Sequence, residues 1–232
     1  MTSPTGFAGG SYAQAGARNG VPGQVPTPLA GAPPVRKPRQ NRSRVTRSRL
    51  LEAAVSCLAD LGYPASTVGV VAERAGVSRG ALQHHFPTRE ALFTAAVENL
   101  ARQRADEVAA ELGPLHAGDT DRIIGVIFTI FTGQLFRAAL ALWVAAVHEP
   151  ALHAQVAALE GRMGRSMHRL VVDVLGVDES QPGVRETIQA TLDLARGLGL
   201  ASLLSDDSAR RAGIARQWAV LLQAGLSPSP LK

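Results

Sequence analysis

The sequence predicts an all-α protein, and three observations carry that expectation. Apolar residues recur at the three- and four-residue spacing of a helix face from about Thr46 almost to the end of the chain. Helix-ending residues separate these stripes: Gly62 with Pro64, Gly76, Gly113 with Pro114, Pro150, and the stretch from Gly176 to Gly183. Between Thr67 and Leu92, two short helical patterns are joined by a tight turn at Gly76, the arrangement of a helix-turn-helix.

Composition sets the outer limits. With 232 residues and 46% of them apolar, the chain suits one or two domains with a sizeable core. Residues 1–49 carry eight basic groups and no acidic one, whereas residues 50–232 carry 16 basic and 19 acidic groups, so the net charge of +5 divides into +8 and −3. A basic end on a slightly acidic body fits an anionic polymer or a membrane surface as partner at that end. The alternative is a solvated basic tail. The single Cys57 excludes an intramolecular disulfide and a four-cysteine zinc site, and it falls on an apolar helix face, which fits a small core residue in a reduced, cytoplasmic setting.

Taken in order, residues 1–35 hold seven Gly and six Pro with no apolar run of signal-peptide length, so they are expected to be a disordered tail. From Arg36 to Arg49 come seven basic residues, and the part up to residue 45 reads as a basic arm able to follow phosphates or enter a minor groove. Leu50, Leu51, Ala54, Val55, Leu58 and Leu61 form the first helical stripe, starting near Thr46 and stopped by Gly62 and Pro64. Thr67 caps a helix whose Val68, Val71, Ala72 and Ala75 share one face; Gly76 ends it, Val77 plugs the turn and Ser78 caps the next. That next helix, Arg79 to about His85, has little apolar surface beyond Leu82 and Phe86. Most of it therefore faces something polar, and in a helix-turn-helix the second helix lies in the DNA major groove. Arg79, Gln83, His84 and His85 are its exposed donors and acceptors. Thr88 caps a long helix with Leu92, Phe93, Ala96, Val97 and Leu100 inward, running to Gly113 and Pro114. The head is thus read as residues 46–103 and the body as 104–226, with 227–232 a tail.

The body opens with a segment, Ile123 to Val147, that has one charge in 25 residues and passes for a membrane span on hydropathy. Gln134 and Arg137 near its middle, and a break at Thr132 and Gly133, argue instead for two core helices and no membrane. A third body helix runs from Pro150 to about Leu175, with Leu152, Val156, Leu159, Met163, Met167, Leu170 and Val174 on one face. Two last helices follow, about Val184–Leu204 and Asp207–Leu226, the second opened by acidic residues against the helix dipole. Gly197, Gly199, Ala201 and Ser202 would let another helix approach closely.

The stretch from Thr67 to Leu92 resembles the TetR family of bacterial repressors in long register: Thr67, Val71-Ala72, Ala75-Gly76-Val77-Ser78, Gly80, Leu82, His85-Phe86, Arg89-Glu90 and Leu92. Gln83 departs from the usual Tyr, Arg89 from the usual Lys, and Gly69-Val70 from polar residues that face the DNA backbone. Arg for Lys keeps a phosphate-binding charge, while Gly69 and Val70 remove side-chain donors. The resemblance, which covers about Arg44 to Leu100, implies a three-helix DNA-binding head on a helical effector-binding and dimerisation body. It implies DNA contacts among Arg44, Arg47, Thr67, Ser78, Arg79, Gly80, Ala81, Gln83, His84, His85 and Arg89. It further implies a homodimer through about 184–226, a palindromic operator on double-stranded DNA, and a small apolar or amphipathic effector that releases a repressor. An ordinary helical hairpin in a monomer is the alternative for the last two helices, and a ligand-independent DNA-binding protein is the alternative function.

An effector cavity would draw on large, adaptable side chains, Phe128, Phe131, Phe136, Trp143, Met163 and Met167, with Gln134, Arg137, His148 and Arg196 as polar groups to orient a ligand. Aromatic and Met residues at helical spacing are also what an ordinary core contains, so both readings stand at this stage. Catalysis finds no support: there is no Gly-x-Ser-x-Gly, no Gly-x-Gly-x-x-Gly and no phosphate loop, and His148 and His153 straddle Pro150 without the spacing of a zinc helix. No cofactor and no metal is expected.

Overall fold

The computed structural model describes residues 38–113 and 115–226, and among them the chain forms nine α-helices, one 3-10 turn and no strands. The helices are α1 (Pro38–Ala65), α2 (Val68–Ala75), α3 (Arg79–His85), α4 (Arg89–Leu112), α5 (Thr120–Ile130), α6 (Gln134–Ala146), α7 (Pro150–Leu175), α8 (Val184–Ala201) and α9 (Ser208–Leu226). The tail at 1–35, Arg36, Lys37 and residues 227–232 lie outside the described residues.

Helix α1 starts at Pro38, well before the expected Thr46, so most of the basic arm is helical. Pro is tolerated in a first turn because its missing N–H would be unpaired there. The apolar stripe marks where the helix is packed and not where it begins, which is why it placed the start too late. The expected stop is real: Gly62 takes φ 72°, ψ 173°, and only a turn through Pro64 follows. Helix α8 ends at Ala201, short of Leu204, where the Ser202 hydroxyl donates to the Gly199 carbonyl at 2.8 Å. Asp206 and Asp207 then open α9: Asp206 accepts the Ser208 N–H at 3.0 Å, a bond that holds its carboxyl below the usual range, and Asp207 pairs with Arg211 at 2.8 Å.

Two apolar clusters organise the molecule. One joins Leu50, Leu51, Ala54, Val55 and Leu58 of α1 to Val71 and Ala72 of α2, Leu82 of α3, and Leu92, Phe93, Ala96 and Val97 of α4. It does not stop at the head. Leu135, Ala138, Ala139, Leu142 and Ala146 of α6 and Leu152, Val156 and Leu159 of α7 belong to the same cluster, and α6 packs along α1. Head and body are therefore joined through α6 and α7 as well as through the long helix α4. Cys57 lies fully buried in this cluster, and burial pushes its thiol pKa up. The second cluster gathers the end of α4, α5, the end of α7, α8 and α9 around Ile123, Ile127, Phe128, Val171 and Ile188.

The Ile123–Val147 segment breaks at residues 131–133 as expected, with a bend of 52° between α5 and α6. No single helix among the described residues is long and apolar enough to cross a membrane. Much of the apolar surface of this pair is spent inside the molecule, including Ile123, Ile124, Ile127, Leu135, Ala138 and Leu142. Within the chain, one of the small residues of α8 admits a close approach. Gly199 is buried against the break: a Cβ there would lie 2.1 Å from the Phe131 carbonyl oxygen and 2.8 Å from its Cβ. Gly197 is exposed and has nothing within 4 Å of a Cβ.

These two glycines make a contrasting pair. Gly199→Ala is expected to lower stability in chemical denaturation by about 1–3 kcal/mol through overpacking. Gly197→Ala is expected to leave stability unchanged or raise it, by up to about 1 kcal/mol from helix propensity.

Candidate nucleic-acid interface and ligand cavity

The sequence builds α2, its turn and α3 with consecutive caps. The Thr67 hydroxyl accepts the Val70 N–H at 3.3 Å, Gly76 takes φ 65° and returns its N–H to the end of α2, and the Ser78 hydroxyl accepts the Ala81 N–H at 3.2 Å. On α3 only Leu82 is fully buried; Arg79, Gly80, Gln83 and His84 are exposed, and Ala81 and His85 are half-buried. Phe86 closes α3 from below, with the Arg47 guanidinium 5.2 Å from its ring centre. Arg44 lies exposed one turn earlier on α1. The structure thus brings a helix with a polar outer face next to a row of cations.

Arg89 goes elsewhere, and the expectation that it offers a free phosphate-binding charge is corrected. Its guanidinium donates to the carbonyls of Ser66 at 3.2 Å, Pro64 at 3.4 Å, and Tyr63, and it stacks over the Tyr63 ring at 3.9 Å. Tyr63 is itself buried, its hydroxyl donates to Glu90 at 3.3 Å, and burial pushes its pKa up to about 12. The start of α4 is pinned in this way to the turn after α1. The carbonyls released by Gly62 and Pro64, which have no helix to pair with, are what attract the arginine.

In the body a cavity of about 600 Å³ opens between α4, the α5–α6 break, α7 and α8. It brings together Phe131, Phe136, Trp143, Met163, Met167 and Arg196 of the expected residues. Four others do not reach it. Phe128 is buried in the second cluster, Gln134 is exposed at the start of α6, and Arg137 and His148 border a separate groove between α1 and α6. Helical spacing alone does not say which neighbour each residue meets, which is why it groups these four with the others.

The Arg196 guanidinium stands 5.6 Å from the Phe131 ring centre and 5.7 Å from that of Trp143, and Phe136 meets both rings edge-on. It pairs with Asp193 at 2.7 Å and more loosely with Glu160 at 3.4 Å. Burial raises the Glu160 carboxyl pKa, opposed by Arg196 and by a hydrogen bond with Trp143. Glu160 was missed from the sequence, though it lies three and seven residues before Met163 and Met167, on one helix face with them. At the rim Arg162 pairs with Glu98 at 3.0 Å, tying α7 to α4. The arrangement offers an apolar chamber with one half-buried, loosely made ion pair.

A sequence profile of the bacterial regulatory proteins, tetR family, matches residues 50–96, from α1 into α4. The chain is 32% identical over 185 residues to the HTH-type transcriptional regulator CymR of Pseudomonas putida, covering 76% of this chain and 89% of that protein. It is 30% identical over 173 residues to the HTH-type transcriptional regulator BetI of Cronobacter sakazakii, covering 72% and 79%. The chain belongs to the TetR family of bacterial regulatory proteins. Its fold agrees: a transcriptional regulator from Rhodococcus sp. Rha1 superposes with a TM-score of 0.62 at 24% identity, over 79% of this chain and 99% of that one. As a TetR-family member it is a DNA-binding transcriptional regulator, and the family is not one of enzymes.

In this regulator the part played by Arg89 separates from a surface role by a stability measurement. Arg89→Ala is expected to cost about 1–3 kcal/mol in chemical denaturation, because the carbonyls of the turn lose their donor. An arginine waiting at the surface for phosphate would change stability by no more than about 0.5 kcal/mol.

Proposed function

We propose that this chain is a homodimeric, ligand-responsive regulator, a repressor that a small amphipathic effector releases from a palindromic operator. The observation that carries the proposal is the cavity and what walls it. Phe136, Ala139 and Trp143 of α6 face the cavity, while Ala138 and Leu142 of the same helix are buried in the core shared with α1. An occupant that shifts α6 therefore shifts the helix on which the head is built. The apolar chamber suits the body of an effector, and the Arg196–Glu160 pair suits its polar end.

Dimer formation through about 184–226 is supported by apolar side chains left outside on α8, α9 and the turn between them. Leu204 is 97% exposed, Val220 60%, and Leu200 and Leu221 53% each. Covering such residues is what a second copy would do, and a two-fold pair of heads matches a palindrome, with reading helices one helical turn, about 34–36 Å, apart. The DNA contacts are assigned to Arg44, Arg47, Thr67, Ser78, Gly80, Ala81, Gln83, His84 and His85 together with Arg79, within a head of residues 46–103 on a body of 104–226. The protein acts where its DNA lies, in the cytoplasm.

The test uses an operator selected from a random-sequence pool and a small molecule found by its rise in melting temperature. Linkage requires the ligand to bind more weakly to the operator complex by the same factor by which it weakens DNA binding, about 5- to 150-fold for a typical coupling. Equal ligand affinities with and without operator would favour a ligand-independent DNA-binding protein. In the same preparation, Leu204→Glu with Leu221→Glu is expected to convert a sedimenting dimer to monomer and to abolish operator binding at dimer-dependent concentrations. A wild type that sediments as a monomer would overturn the dimer.

A further inference from the structure

The first residue of the reading helix is turned back onto the helix before it. The Arg79 guanidinium lies across the start of α2, so that a Cβ at Gly69 would stand 2.4 Å from Nη2, 3.0 Å from Cζ and 3.1 Å from Nε. No side chain at position 69 coexists with that placement. Gly69 has no left-handed backbone to account for it, being absent from the positive-φ glycines among the described residues, and glycine weakens a helix relative to any residue but proline. The space that a side chain at 69 would take is filled by Arg79.

We propose that Gly69 and Arg79 form one DNA-contact unit, in which glycine at 69 seats the Arg79 guanidinium on α2, where it grips a backbone phosphate and takes no part in reading bases. In a helix-turn-helix the first helix crosses the DNA backbone and the second enters the groove. A guanidinium laid on α2 is therefore at the height of the phosphates, although its residue begins α3. It also supplies what α2 lacks. Val68, Gly69 and Val70 carry no side-chain donor, and the single cation of α2, Arg74, is engaged with Asp60 at 2.9 Å and Ser56 at 2.8 Å on α1. An arginine offers a phosphate two parallel N–H donors, so a single seated residue can replace two lost polar contacts. Gln83 and His84, exposed farther along α3, are left for base edges.

Phosphate and base contacts leave different signatures. A phosphate contact strengthens binding to all sequences alike and adds about one unit to the slope of log affinity against log salt, whereas a base contact adds discrimination. The experiment measures the full-length protein on the operator selected from a random-sequence pool and on a shuffled duplex of equal length, across a salt series. Arg79→Ala is expected to lower both affinities by the same factor and to reduce the salt slope by about one unit. Gly69→Ala and Gly69→Ser are expected to do the same while the melting temperature holds or rises, because the displaced atoms are the mobile end of a side chain. The double variant Gly69→Ala with Arg79→Ala is expected to bind no more weakly than Arg79→Ala alone. A fall confined to the operator would make Arg79 a base reader and overturn the proposal. Unchanged DNA binding in both Gly69 variants, or additive losses in the double variant, would equally overturn it, since the seat would then not position the arginine.

Discussion

The contact between α1 and α6 is the constraint on which the rest of the molecule depends. A three-helix head of this size buries little apolar surface by itself, and small domains are marginal for that reason. Here Leu50, Ala54 and Leu58 are completed by Ala138, Leu142 and Ala146, so the head finishes its core with a helix of the body. Alanine at 138 and 146 lets α6 come close to α1. The far side of the same helix carries Phe136 and Trp143 toward the cavity.

That double duty explains the break before α6. A continuous helix from Thr120 to Ala146 could not both pack in the second cluster and reach α1; the 52° bend at residues 131–133 lets α5 do the first and α6 the second. Gly199 holds the bend against α8, and Arg196, one turn earlier, stacks on Phe131. Cavity, bend and the exposed apolar edge of α8 are thus neighbours along one helix. The head is held from its other end by Arg89, which ties the start of α4 to the turn closing α1.

Local chemistry was legible in the sequence, and neighbours were not. The caps at Thr67, Ser78 and Thr88, the turn at Gly76 and the break at Thr132-Gly133 follow from residue types that admit few alternatives, and each stands where expected. Periodicity identified the apolar faces but could not say what they meet, which is why Phe128 and Phe131, close in sequence, parted into core and cavity. Arg137 and Arg196 could not be told apart for the same reason. Arg89 matched a family position while its partners, three carbonyls in a turn more than twenty residues away, left no trace in the pattern. Gly69 read as a loss of contacts because the arginine that fills its place lies on the next helix.

The central claim is that head and body share one core through α6, so that what happens in the body is felt in α1. Native-state hydrogen exchange on the full-length protein tests it most directly. Leu142→Ala, a buried truncation in α6 worth about 2–5 kcal/mol, should lower the opening free energy of amides in Leu50–Leu58 by as much as that of amides in α6. Protection that falls in α6 and stays unchanged in α1 would contradict it, and the head would then be an independently folded unit.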